Sequence, residues 1–217
     1  MEPEDECGMP VFKGLIIGEG DSGKVSFMWR HITGGYLKPH IFPRIEAVNS
    51  LRFHTTHGPV TFKMLDTRGK ERFDNSPREI YSGAQCAILF FDLNSRVTYQ
   101  KILNHNMDIA TYCGNIPVVV CGHSENLTRP KVVWPQKIAA RKNWKYYEVC
   151  PKMNHNIEKP FVWLAKVLLG DPKLELVPMP AVSPPLITSE AEIMTKLKKG
   201  LKNALKHPLP DDDKEDL

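Results

Sequence analysis

At 217 residues and a net charge of +4, the chain is long enough for one α/β domain plus an extension, and no Lys/Arg block is dense enough for a nucleic-acid footprint. The acidic, polar start MEPEDECGMP has no basic or apolar leader region, and no uncharged apolar run approaches the roughly 18 residues of a membrane span. The five cysteines (Cys7, Cys86, Cys113, Cys121, Cys150) are odd in number and lack C-x-x-C, so a soluble protein of a reducing compartment is expected, with neither nucleic acid nor membrane as partner.

After a disordered start over residues 1–10, VFKGLIIG (Val11 to Gly18) reads as a strand. GKVSFMWRHI reads as the helix that follows, with Phe27, Met28, His31 and Ile32 at helical spacing. AVNSLRFHT and PVTFKML alternate in a hairpin pattern whose turn is expected at Gly58-Pro59. AQCAILFFD and IPVVVCG are near-continuous apolar runs, the mark of parallel strands covered on both faces, and KYYEV is a weaker third. Helical stretches fall at Arg96 to Cys113 and Ile157 to Leu169, so strands alternate with helices. That order predicts βαβ units, a mostly parallel sheet and a binding crevice at the carboxyl ends of the strands.

The domain is expected over 11–171, followed by a linker over 172–187 in which five prolines fall between Pro172 and Pro185. Ser189 and Glu192 form a capping box for an amphipathic helix over 188–207, carrying Ile193, Leu197, Leu201 and Leu205 opposite a basic face. An acidic tail, 208–217, closes the chain.

Chemistry concentrates in GEGDSGKVS, Gly18 to Ser26. Gly18-x-x-x-x-Gly23-Lys24 between a strand and a helix is the spacing of a phosphate-wrapping loop. Its glycines let backbone N–H groups turn inward, the helix N-terminus adds a favourable dipole, and Lys24 adds a point charge. Gly20, Asp21 and Ser22 complete the cradle. The residue after Lys24, however, needs a hydroxyl to hold magnesium, and Val25 has none. Ser26 has one, but a single helical step rotates it by about 100°. Asp66, opening DTRGK at a strand end, stands where a carboxylate would support a phosphate-bound metal without being its main ligand.

These motifs, with the longer strings FHTTHGPVTF, QCAILFFDLNSRVTY, NIPVVVCG, EKPFVWLA, GDPKLELVPMPAVSPP and PDDDKEDL, resemble the Ras superfamily of small GTPases. Within it they are most similar to the Ran branch, which serves nuclear transport. The resemblance runs from about Phe12 to Leu217. It implies an α/β P-loop small-GTPase fold, a mostly parallel six-stranded sheet with helices on both faces, then the C-terminal linker and helix. It also implies GTP or GDP as the ligand with magnesium, and action as a monomer in nucleus and cytoplasm. The implied partners are importin-like nuclear transport receptors and the regulators of Ran.

Against that frame the functional residues depart together. The switch threonine that holds magnesium and the γ-phosphate aligns with Pro43. The glutamine that orients the attacking water, after Gly69, is Lys70, and Arg68 replaces a small alanine. No catalytic residue is therefore assigned, and Lys70 is read as solvated. The base-reading N-K-x-D aligns with His123-Ser124-Glu125-Asn126, and Asn126 offers one acceptor oxygen where an aspartate accepts from both guanine N–H groups. S-A-K becomes Cys150-Pro151-Lys152, in which Pro151 has no N–H for the guanine carbonyl. Loss of about four strong hydrogen bonds, at roughly 1.5–3 kcal/mol each, removes about 6–12 kcal/mol, or about four to nine decades of affinity, less where the losses overlap.

The resulting expectation is a Ran-like transport protein that binds guanine nucleotide weakly, through Gly18, Gly20, Asp21, Ser22, Gly23, Lys24, Ser26, Gly69, Asn126 and Lys152, and does not hydrolyse GTP. Two alternatives stay open: an active switch with a rearranged Mg-GTP site, and a nucleotide-free module that sequesters Ran partners. His54 and His57 flank the hairpin turn as ordinary exposed histidines, and Trp134, Trp144 and Trp163 are packing residues. Arg141, Lys142 and Lys145 match part of a basic patch toward which the acidic tail folds in Ran-like proteins.

Overall fold

A computed structural model describes residues 8–20, 22–36, 48–66, 80–125 and 144–178. The chain runs β1 (Val11–Gly18), α1 (Lys24–Thr33), β2 (Val48–Thr55), β3 (Gly58–Asp66), β4 (Cys86–Asp92), α2 (Arg96–Cys113), β5 (Val118–His123), β6 (Trp144–Val149) and α3 (Lys159–Leu168). The six strands form one sheet in the order β2-β3-β1-β4-β5-β6. Only β2 and β3 pair antiparallel; β1 pairs parallel with β3 and β4, and β5 parallel with β4 and β6. The mostly parallel six-stranded α/β architecture expected from the sequence is thus present.

Period-2 alternation along β1 divides the core. Phe12 and Ile16 face Phe27 and Met28 of α1 and Phe161 and Leu164 of α3, while Leu15 and Ile17 face Ile102 and Ile109 of α2. Helices therefore cover both faces, and β4 and β5, buried along their whole lengths apart from Asp92, read as unbroken apolar runs for that reason. No helix among the described residues is long and apolar enough to cross a membrane.

The hairpin turn differs from expectation. Thr55 pairs with Gly58 and His54 with Pro59, so the loop is Thr56-His57 and the Gly58-Pro59 pair already belongs to β3. The physical reason is local: the Thr55 hydroxyl donates to the Gly58 carbonyl (2.8 Å) and accepts from the His57 N–H (3.2 Å), and Gly58 takes the positive φ of 101°. Pro59 is tolerated because pairing of β3 with β1 begins only at Thr61. His57 is exposed, as expected, and its Nε2 lies 2.6 Å from Asp171 Oδ2.

Residues 172–178, where the sequence reading begins a linker, pack on the domain. Leu174 is fully buried, Leu176 bridges Thr55, and the Val177 N–H donates to the His54 carbonyl at 2.8 Å. The rest of the linker, the helix over 188–207, the acidic tail, Trp134, Arg141 and Lys142 lie outside the described residues.

Candidate functional site

The loop from Gly18 to Lys24 joins β1 to α1 at the carboxyl edge of the sheet. A side chain at Gly18 would overlap the Phe90 carbonyl oxygen, and one at Gly23 would overlap the His123 ring; both glycines have positive φ, 151° and 88°. Among the described residues, nothing lies within 4 Å of where a Cβ at Gly20 would stand. The Ser22 hydroxyl donates to the Glu19 carbonyl (2.7 Å), which also accepts from the Ser22 N–H (3.1 Å). Lys24 is fully buried; its ammonium donates to the Gly18 and Glu19 carbonyls and to Ser22 Oγ at 3.2 Å. The N-cap of α1, Gly23, has no side chain to cap the helix, and the first turn holds no acid, so the amide end of the helix presents a positive pole that suits an anion. The chemistry of the loop fits phosphate.

It does not fit the usual magnesium arrangement. Val25 is buried and offers an isopropyl group where a metal would need oxygen. Ser26, one residue on, is also buried. Asp66 closes β3, with its backbone beside Ile16 of β1 and its side chain buried. Among the described residues no cluster of three or more His, Cys, Asp or Glu forms a metal site.

At the ends of β5 and β6 the donor set has changed character. His123 is buried with its ring against Gly23, and burial pushes its pKa below the usual histidine range, against the pull of Asp92 and Glu125. The imidazole packs against this side of the loop. The Cys150 thiol sits 3.5 Å from the Glu125 carbonyl. The turn beyond it folds on itself: Cys150 and His155 exchange both backbone hydrogen bonds (3.1 and 3.0 Å), and the Met153 N–H donates to the Cys150 carbonyl (3.2 Å). Lys152 is exposed on this turn. Two left-handed residues, Asn154 and Asn156, hold its shape, with Asn154 Oδ1 accepting from Arg30 Nε at 3.2 Å and the Asn156 amide donating to the Glu148 carbonyl at 2.9 Å.

Of the residues named from sequence, the structure gathers Gly18, Gly20, Ser22, Gly23 and Lys24 in one loop, Ser26 in the helix it opens and Asp66 on the neighbouring strand, while Lys152 lies on the β6 side. Asp21, Pro43, Arg68, Gly69, Lys70 and Asn126 lie outside the described residues. Sequence reasoning missed two contacts: the His123 ring on Gly23, and a clasp in which Glu19 meets Lys101 and His105 of α2 at 2.8 and 3.5 Å. Lys101 and His105 at i,i+4 spacing mark one helix face, but nothing local pairs that face with a loop residue 82 positions earlier.

Residues 13–169, well over half of the chain, match the Ras family. With the loop, strand order and two-sided core described above, the chain belongs to the Ras family of small GTPases.

Proposed function

We propose that this protein is a Ran-like member of its family that serves nucleocytoplasmic transport through protein partners, holds guanine nucleotide weakly and does not turn over GTP. Ras-family proteins bind guanine nucleotides with magnesium. The observation that carries the reading is an asymmetry in this chain's own site: a buried Lys24 and an uncapped helix remain for phosphate, while Val25 removes the metal's hydroxyl and Pro151 removes a base-reading N–H. The Ran branch is supported by the long shared strings, the proline-rich segment and the acidic end. Partners on this reading are importin-type receptors and Ran regulators, met by a monomer in nucleus and cytoplasm.

The test joins affinity, turnover and capture. Fluorescent GDP is titrated with and without magnesium, GTP hydrolysis is followed under single-turnover conditions, and immobilised importin-type receptors are challenged with protein in GTP, GDP or EDTA. Expected are micromolar or weaker affinity with little magnesium dependence, no hydrolysis above buffer, and receptor capture. Nanomolar affinity or GTP turnover would restore the active switch, and absence of capture would remove the transport assignment. Capture with equal strength in all three conditions, and no nucleotide binding, would support the nucleotide-free module instead.

A further inference from the structure

Beyond α3, residues 171–177 double back to the tip of the β2–β3 hairpin, and two kinds of contact hold them there. The first kind does not titrate. Leu174 is fully buried in the same core as Phe12 and Phe161, the Thr56 N–H donates to the Glu175 carbonyl at 3.0 Å, the Glu175 N–H to Thr56 Oγ1 at 3.3 Å, and the Val177 N–H to the His54 carbonyl at 2.8 Å. The second kind is the pair of exposed His57 and Asp171, with Nε2 and Oδ2 2.6 Å apart. Asp171 has a further task, since its Oδ1 accepts from the Lys173 N–H at 2.8 Å and shapes the turn that begins the segment. That N–H above all, with His57 adding to it, holds the Asp171 carboxyl below the usual carboxylate range. The carboxylate is therefore an anion throughout the range in which histidine changes charge, between about pH 5 and 8.

A charged imidazole meets this anion through a charge-assisted hydrogen bond, and a neutral one through an ordinary bond about half as strong. The other titratable groups on the packed elements are Lys173 and Glu175 of the segment itself, His54 of β2 and Lys166 of α3. Lys166 also acts on Asp171 and competes with His57 for it. Lysine and glutamate side chains ordinarily keep one charge across that range. His54 meets the segment through its carbonyl.

We propose that the His57–Asp171 pair is a pH-sensitive latch on residues 171–177: a charged His57 fastens the segment to the hairpin, and loss of that charge as pH rises loosens it. Leu174 keeps the segment seated in both states, so the latch sets how often it opens rather than whether it docks. The segment leads directly into residue 179, so the latch acts on the root of the chain that follows the domain. This device is independent of what the phosphate loop binds.

The test is amide hydrogen exchange of the full chain, read residue by residue by NMR at about pH 6 and about pH 8 at low salt and corrected for intrinsic exchange. The Thr56 and Val177 amides report the segment, and the Val119 amide in the middle of β5 is the reference for the whole domain. Expected from wild type is a fall of about threefold in the protection of Thr56 and Val177 relative to Val119 between the lower and the higher pH, the size set by one exposed ion pair. The ratio should not change with pH in Asp171→Asn, which keeps an oxygen for the Lys173 N–H, or in His57→Gln, which keeps a donor that does not titrate. A constant ratio in wild type would overturn the proposal. A fall that survives in either variant would also overturn it, since His54 or another group would then be titrating. Exchange of Thr56 and Val177 at their intrinsic rates at both pH values would show that the segment is not held at all, and would overturn it too.

Discussion

The Glu19 carboxylate, one residue into the phosphate loop, accepts a 2.8 Å hydrogen bond from the Lys101 ammonium of α2, and its other oxygen lies 3.5 Å from His105 Nε2. Lys101 holds the Glu19 carboxyl below the usual carboxylate range. A carboxylate beside a phosphate-binding loop repels its ligand, and the pairing turns that charge toward α2. Lys101→Gln should therefore weaken pyrophosphate binding about fivefold at low salt and less at high salt, with a stability change within about 1 kcal/mol for so exposed a pair. Glu19→Gln should not weaken binding, and the double variant should recover it. A loss of binding in both single variants would show that the pair only props the loop.

Gly23 is held by two constraints at once, a φ of 88° and the His123 ring where a Cβ would stand. Gly23→Ala should destabilise the domain by about 2 kcal/mol or more, lowering Tm by roughly 4–8 °C. Adding His123→Ala should return the steric part and leave the backbone strain. Additive losses in the double variant would show that the two residues do not meet.

The cysteines should label in order of burial. Full burial pushes the Cys86 thiol up to about 12 and the Cys121 thiol well above its usual range, while burial also raises the Cys113 thiol, which stays partly open to solvent. A pulse of iodoacetamide at mildly alkaline pH, read by mass spectrometry, should modify Cys113 slowly and spare Cys86 and Cys121 until the chain is unfolded in urea. Native-state labelling of either buried thiol at its unfolded rate would contradict the packing of β4 and β5.

One buried and one half-buried histidine set an acid limit. His31 nests among Phe27, Phe53 and Phe161, with ring centroids 4.5–6.0 Å away, and its Nδ1 lies 2.9 Å from the Phe27 carbonyl, which takes its N–H; burial lowers its pKa, as it does for His123. For a base whose folded pKa is depressed, the unfolded chain binds the proton first. Stability is therefore fully present above the unfolded value of about 6.5 and falls as pH drops from there toward the folded values. Urea unfolding between about pH 8 and pH 5 should show this slope, and His31→Phe should flatten it. An unchanged slope in that variant would place the titrating group elsewhere.

What could be read from the sequence was local. The bounds of β1 and of α2 emerge because a strand buried on both faces and an N-capped helix carry their signals within a few residues: Ser95 accepts from the Thr98 N–H at the start of α2, and Gly114 follows its end. The hairpin turn shifted by two residues because Thr55 bonding to Gly58 and His57 decided its register, a preference that the Gly-Pro pair masks. At the site, residue identity revealed the losses at Val25 and Pro151. The His123 ring on Gly23 and the Glu19–Lys101 clasp were illegible, since each joins elements through the fold rather than along the chain.

The most direct test of the central claim is the nucleotide content of the purified chain, measured by denaturing it and separating the supernatant by ion exchange, with and without added magnesium. A site that keeps its phosphate loop but has lost the metal's hydroxyl and its base-reading donors should carry far less than one guanine nucleotide per chain under either condition, loading only in excess ligand. Near-stoichiometric GDP or GTP, retained in magnesium through purification, would contradict the account.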